Sequence, residues 1–476
     1  MSNISLRQAT IINFIGRYSN VLIQLIYSAI LSRILTPDDF GIVAVITVFT
    51  TFFSLIANMG IGPAVIQNKN INENDIDSIF TYTLYIGIGI GLFFTVFSLP
   101  LAYFYQEAVY LRIGPLLAIS LFFNTMNIVP NSILLKSHKF KLVNIRLVVV
   151  SIISAIPTII LATIGFRYYS LIIHSILVSF ITFVVNYLSV RPKFIGRLRK
   201  ESLIKIKEFS TYQMGFGVIN YFSRNIDNLL IGKFLGNSPL GYYDKSYRLM
   251  LYPVQNLTNV ITPVLHPIFS AHQDDKEYIY KQYIKVVKIL SLVGVFATAY
   301  SFHTAEELLV ILFGNQWVES TFSFKYLSLA IWAQMVTSST GSIFQSLGNA
   351  KLLFRAGIYS ATLIVSSIMI GVFLGSINTV AIAVSIAYNV NMLMSFYLLI
   401  GNAFNKSVYN FFNQLLPDMV VFILTFICLG IVSKINFDNV LVSALVKLVV
   451  GSTIYILSLI VTKQYKYVSI IWRKRN

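Results

Sequence analysis

Polar residues at helical spacing run through the apolar stretches of this chain, and any chemistry it performs falls to them. Near the N-terminus Asn13, Arg17, Asn20, Gln24 and Tyr27 recur at steps of 4, 3, 4 and 3, which lines them along one face of a helix. Gln213, Asn220, Arg224 and Asp227 occupy the same stripe 200 residues later. A third ladder runs through Arg248, Tyr252, Gln255 and Asn259, and a fourth through Gln334, Ser338, Gly341 and Gln345. Smaller groups, Thr47, Thr51, Ser54 and Asn58, line a fifth face. An arginine near a bilayer centre costs about 2.5 to 3.5 kcal/mol, so Arg17 and Arg224 are expected to face a hydrated cavity or a partner. Asp227, one turn beyond Arg224, is placed to neutralise it. The plainer alternative makes Arg224 and Asp227 a helix-packing ion pair, lets Arg17 snorkel to the interface and uses the amides for interhelical hydrogen bonds.

These residue types supply hydrogen bonding and charge pairing in a wet interior. No Walker lysine motif, Rossmann glycine pattern or nucleophile elbow occurs, and the five histidines are scattered without metal-ligand spacing. The reading is of a carrier rather than an enzyme, with no resident cofactor.

The elements that must position these groups follow from composition. Hydrophobic residues make up 56% of the 476 and charged residues only 11%, and long apolar runs recur from residue 11 to 462, so the fold class is an all-α polytopic membrane protein. Windows of about 20 apolar residues place spans near 11–35, 41–66, 78–102, 112–135, 144–165 and 168–190. A second series lies near 211–235, 247–268, 284–302, 323–347, 356–375 and 379–401, and two more near 415–433 and 440–462. That is about fourteen, read as six, six and two. The expected organisation is a six-helix lobe at 1–190, a basic linker at 191–210, a second lobe at 211–402, and two added helices with a basic tail at 403–476. The first apolar segment is too long for a cleaved signal peptide and is expected to stay as a span. The lone Cys428 excludes an internal disulfide.

The grouping into sixes rests on an internal repeat. LSRILTPDDFG at 31–41 is echoed by IGKFLGNSPLG at 231–241, and the register extends from Asn20 with Asn220 to Pro63 with Pro263. Two similar bundles with an even number of spans share one orientation, are related by an axis along the membrane normal, and can expose one site alternately to two sides. Charge supports the layout: Lys136, Lys139, Lys141 and Arg146, the segment 191–210 and the tail after Tyr465 are basic, whereas Asp38 and Asp39, and Glu306, Glu307 and Glu319, mark the opposite side. Both termini are therefore expected to be cytoplasmic. Topology and attraction to anionic membrane lipids account for the net charge of +18 without nucleic acid.

The run LSRILTPDDFGIVA at 31–44, NMGIGPAVIQ at 58–67, the segment 223–250 and LLVILFGNQW at 308–317 together resemble the Wzx-type polysaccharide flippases, particularly the colanic and teichuronic acid exporter branch. These belong to the superfamily that also holds the multidrug and toxin extrusion exporters and the lipid II flippases. The resemblance covers nearly the whole chain and implies two six-helix lobes in a V shape plus two peripheral helices. It also implies a bacterial cytoplasmic membrane protein that moves an undecaprenyl diphosphate-linked oligosaccharide to the outer leaflet for cell-surface polysaccharide synthesis, alongside other polysaccharide assembly proteins. On that reading Arg17, Arg224 and Arg248 bind the diphosphate through the guanidinium fork, and Asp227 is the charge partner or coupling-ion site. Asn20, Gln24, Tyr27, Asn220, Tyr252, Gln255, Asn259, Gln334 and Gln345 line the sugar cavity. Outward movement of two negative charges gains about 4 to 5 kcal/mol per 100 mV, so voltage, a proton or a sodium ion each remains open as the drive. A cation-coupled exporter of small drugs, disfavoured by the basic stripes, and a membrane polymerase or acyltransferase are the alternatives.

Overall fold

The chain is described here from a computed structural model. It describes residues 6–58, 60–68, 71–195, 221–222, 224–270, 272–435 and 437–467, without the side chains of 6–15, 17, 67, 259–264, 266–268 and 350. Every regular element among the described residues is helical, as a chain without access to water must arrange it, because a helix satisfies its own backbone groups.

The chain divides into two compact units, Met1–Gly241 and Tyr242–Asn476. In the first, α1 (Leu6–Ile34), α2 (Pro37–Asn58) and α3 (Ile61–Gln67) lead to the long α4 (Glu73–Tyr105). They are followed by α5 (Val109–Met126), α6 (Ile128–Lys136), α7 (Phe140–Thr163), α8 (Tyr168–Val190) and α9 (224–234). Helix α10 (Asn237–Ser270) opens in this unit and continues into the second. There come α11 (Lys276–His303), α12 (Ala305–Phe313), α13 (Ser320–Ser328), α14 (Ile331–Thr337) and α15 (Thr340–Ser346). The chain ends with α16 (Ala350–Phe373), α17 (Ile377–Phe396), α18 (Val408–Val432) and α19 (Val440–Val461).

Ten of the expected spans coincide with helices long and apolar enough to cross a membrane. The four others fall on α1, on the segment around α9, on α10, and on 323–347. That last stretch is three short helices, α13 to α15, where one continuous span is expected. Small hydroxyl residues explain the breaks: the hydroxyls of Ser328, Ser338 and Thr340 donate to carbonyls three residues back and compete with the helical ladder. The second span breaks likewise at Gly60, whose φ of 72° only glycine adopts without strain. The fourth breaks at Asn127, between α5 and α6.

Polar residues between the apolar runs act as caps. Asn72 and Asp75 form a reciprocal capping box at the start of α4, and the side chains of Asp275, Asn349, Ser376, Ser407 and Asn439 accept backbone N–H bonds at α11, α16, α17, α18 and α19. In unit 1, α5 packs on α4 and α8, and α7 on α1 and α8. Phe80, Val65, Met126 and Val129 sit at its core. In unit 2, α11 packs on α14 and α18 around Tyr283, Val287, Phe344 and Phe396.

Candidate functional site

Helix α10 turns a buried face and an exposed face in different directions. Tyr243, Leu249, Met250 and Val254 are buried, whereas Arg248 and Gln255 are exposed and Tyr252 lies between them. The exposed residues follow the spacing read from the sequence. Arg248 keeps 59% of its side chain exposed while its Nε donates to Asp244 Oδ2 at 2.7 Å, one turn earlier. A guanidinium and a carboxamide exposed on one helix face are costly to set against hydrocarbon, so this face favours water or a polar partner. Asp244 was not singled out in the sequence because it lies just outside the apolar window.

The buried side of the same turn explains why two motifs far apart in the chain occur together. Lys245 lies over the rings of Phe313 at 4.8 Å and Trp317 at 5.3 Å, so the segments 223–250 and 308–317 meet here. Ser246 Oγ donates to the Ser320 carbonyl at 3.0 Å, and Ser320 Oγ returns a bond to the Tyr242 carbonyl. These contacts anchor the turn 242–246 of α10 on its buried side. Gln334 Nε2 points at Met250 Sδ at 3.0 Å, so it is half-buried against α10, and Gln345 is exposed on α15.

Unit 1 carries the other predicted residues. Arg224 is exposed on α9. Asp227 is buried and accepts the Asn228 N–H at 2.9 Å. No ion pair between Arg224 and Asp227 is seen among the described residues. Gln24 is exposed on α1, whereas Asn20 accepts the Ser151 hydroxyl at 2.8 Å and Tyr27 stacks on His174 at 4.4 Å. Asn20 and Tyr27 thus contact α7 and α8, as interhelical partners. The side chains of Arg17 and Asn259, and Asn220 altogether, lie outside the described residues.

Sequence reasoning missed several buried charges. Arg146, assigned to a cytoplasmic loop, lies inside α7, where its Nη1 donates to Asn186 Oδ1 at 2.6 Å and Asn131 Oδ1 at 3.2 Å. Asn186 in turn donates to Asn127 at the break between α5 and α6. Lys288 pairs with Asp418 at 2.7 Å, and Lys447 pairs with Glu307. Asp418 is therefore a further acid within a span, in addition to Asp227. A search for charges inside the apolar windows at 284–302, 415–433 and 440–462 finds Lys285 and Lys288, Asp418 and Lys447.

No group of three or more metal-ligating side chains comes together among the described residues. Each unit by itself offers cationic and amide hydrogen-bond donors on exposed helix faces, groups whose chemistry suits hydrogen bonding to polar or anionic partners.

Among solved structures, the lipid II flippase MurJ in an inward closed conformation superposes with a TM-score of 0.75. It covers 97% of this chain and 99% of that one at 13% identity, so the likeness is one of fold. An uncharacterized membrane protein in the cps region of Klebsiella pneumoniae is 23% identical over 93% of this chain and 92% of its own length. The teichuronic acid biosynthesis protein TuaB of Bacillus subtilis is 23% identical over 79% of each. A family model described as polysaccharide biosynthesis protein matches residues 30–322, which takes in both copies of the repeated motif and the Lys245–Trp317 contact. With more than half its length matched in this way, the chain belongs to the polysaccharide biosynthesis protein family.

Proposed function

We propose that this chain is a flippase that carries a polyprenyl diphosphate-linked oligosaccharide across the bacterial cytoplasmic membrane by alternating access, with both termini cytoplasmic. One observation carries the reading: the exposed Arg248 on α10, charge-balanced by Asp244 inside an apolar chain. A diphosphate is the part of such a cargo that cannot enter hydrocarbon, and Arg presents a planar, permanently charged fork to its oxygens. Arg224 and Arg17 are assigned to the same task. Gln24, Tyr252, Gln255 and Gln345 supply amides and a ring for sugar hydroxyls, while the polyprenyl tail stays in lipid. The relative named for teichuronic acid biosynthesis and the fold shared with a lipid II flippase support this substrate class.

The lobes are assigned to 1–190 and 211–402, joined by the basic 191–210 and followed by the added helices of 403–476. Asp227 stays a candidate for a coupling proton or sodium ion, and Asp244 joins it as an acid already in contact with a proposed substrate arginine.

The test is leaflet accessibility of a fluorescent polyprenyl diphosphate oligosaccharide in proteoliposomes. Protein-dependent flipping that falls about 100-fold in Arg248→Ala, with unchanged folding, is the expected result. Flipping unaffected by Arg224→Ala and Arg248→Ala together removes the cationic site. Export of a cationic drug with no flipping transfers the chain to the small-molecule exporters.

A further inference from the structure

Helix α4 ends in a turn that glycine would ordinarily make. Gln106 takes a left-handed φ of 59°, and its N–H and that of Glu107 return to the Tyr103 and Ala102 carbonyls. The chain reverses within residues 106–108 and enters α5 at Val109. The Tyr105 hydroxyl donates to the Leu229 carbonyl at 3.2 Å, which ties α9 to this end of α4 and brings Lys233, one helical turn beyond Leu229, to the same place. All of these residues belong to unit 1.

Around the turn lies a cleft of about 630 Å³, a size common to small-ligand sites. Its walls are of two kinds: Leu99, Tyr103 and Leu111 are exposed and largely apolar, whereas Gln106, Glu107 and Lys233 are polar. Lys233 Nζ donates to the Phe104 carbonyl and stands 4.8 Å from the centre of the Phe104 ring. An ammonium carries three protons, so that bond leaves two for another acceptor. Glu107 accepts from Asn237 Nδ2 through Oε1 at 2.8 Å, which leaves Oε2. Lys233 and Glu107 line one cleft, yet no ion pair between them is seen among the described residues. The cleft thus holds a cation and an anion kept apart.

The apolar wall continues along α4. Leu92, Val96, Leu99 and Tyr103, at steps of 4, 3 and 4, form one stripe in which each side chain is more than half exposed. From Leu92 to Tyr103 the stripe runs about 16 Å, close to half of a hydrocarbon core about 30 Å thick. One leaflet's depth of apolar surface therefore leads into a cleft that carries both signs of charge.

We propose that this cleft binds one phospholipid with an aminoalkyl phosphate headgroup, of the phosphatidylethanolamine class, from the leaflet in which α4 ends. On the topology proposed above that is the outer leaflet. The phosphate sits at Lys233 and the Gln106 amide, the ammonium at Glu107, and one acyl chain lies along the stripe. A second negative charge on the headgroup would face Glu107, so the site is separate from the diphosphate cargo. Bound lipid joins α9 to the turn between α4 and α5 through contacts that neither helix supplies alone.

The experiment is native mass spectrometry of the full-length protein released from micelles containing phosphatidylethanolamine, phosphatidylcholine or phosphatidylglycerol with identical chains. Phosphatidylethanolamine is expected to be retained about tenfold more tightly than either, because choline lacks N–H donors and glycerol lacks a cation. Lys233→Ala should weaken its retention about tenfold and Lys233→Arg should restore most of it. Glu107→Gln keeps an acceptor for Asn237 and should abolish the preference over phosphatidylglycerol, while Lys351→Ala, an exposed lysine of α16, changes nothing. Equal retention of the three lipids by the wild type marks them as annular and overturns the proposal. So does a preference that survives both Lys233→Ala and Glu107→Gln, or a polyprenyl diphosphate that displaces phosphatidylethanolamine and loses its own retention in Lys233→Ala. The measurement involves no transport, so failure of the wild type to flip the lipid-linked glycan counts against the cargo assignment alone.

Discussion

Lys288 on α11 and Asp418 on α18 meet at 2.7 Å with neither side chain more than 3% exposed, and the Lys288 ammonium also donates to Gln464 Oε1 at 3.2 Å beyond the end of α19. One buried ion pair thus joins the first added helix to α11, and the amide brings in the second. Removing either charge alone strands the other in a water-free site. Asp418→Ala or Lys288→Ala should each cost about 3 to 5 kcal/mol, while Lys288→Met with Asp418→Leu should recover most of it. Thermal unfolding in detergent checks this; equal losses in single and double variants would show that the pair does not act as a unit.

A second ionic contact ties α19 to α12 and to the end of α11. Lys447 on α19 pairs with Glu307 on α12, and Ser443 and the His303 carbonyl complete the set. The pairs share no residue, so Lys447→Ala combined with Asp418→Ala should lose close to the sum of the single effects. Faster proteolysis of the loop before α18 in the combined variant is the matching structural readout.

Arg248 and Asp244 are expected to separate binding from stability. Arg248→Lys keeps the charge but loses the planar fork, and should retain more flipping than Arg248→Ala yet remain about tenfold below wild type. Asp244→Asn leaves Arg248 charged without its intramolecular competitor and should tighten binding of a polyprenyl diphosphate. A scintillation proximity assay measures it; weaker binding in Asp244→Asn would mean that Asp244 positions Arg248 instead of competing with the cargo.

Asn186 carries both ends of a buried network, accepting from Arg146 and donating to Asn127. Asn186→Ala removes both bonds and should cost about 1 to 3 kcal/mol. Asn186→Asp, which adds a counter-charge to the buried guanidinium, should be milder. Unfolding midpoints of the two variants decide the order.

Helix packing in unit 2 offers a control on the geometry. A Cβ on Gly371 would lie 2.5 Å from the Val380 Cα, whereas one on Gly357 of the same helix meets no atom within 4 Å. Gly371→Ala should therefore destabilise by about 1 to 3 kcal/mol, and Gly357→Ala should stabilise by up to about 1 kcal/mol. Opposite signs in one unfolding assay are the expected outcome.

Composition and period by themselves determined that this is an all-helical membrane protein, and the positions of ten spans, because a bilayer leaves a long apolar run no other way to satisfy its backbone. The 200-residue register was equally legible, as were the exposed faces through Arg248 and Gln255, where helical spacing alone sets which residues align. Tertiary structure alone decided which polar groups meet. Asn20 and Gln24 are one turn apart, yet the first contacts α7 while the second is exposed, since the neighbour of a helix face is set by packing and not by periodicity. Lys288 and Asp418, 130 residues apart, and Gly41 and Asn237, 196 apart, are joined by a topology that no local pattern encodes. Local sequence sets what each helix face is made of, and only the folding of distant helices together sets what that face touches.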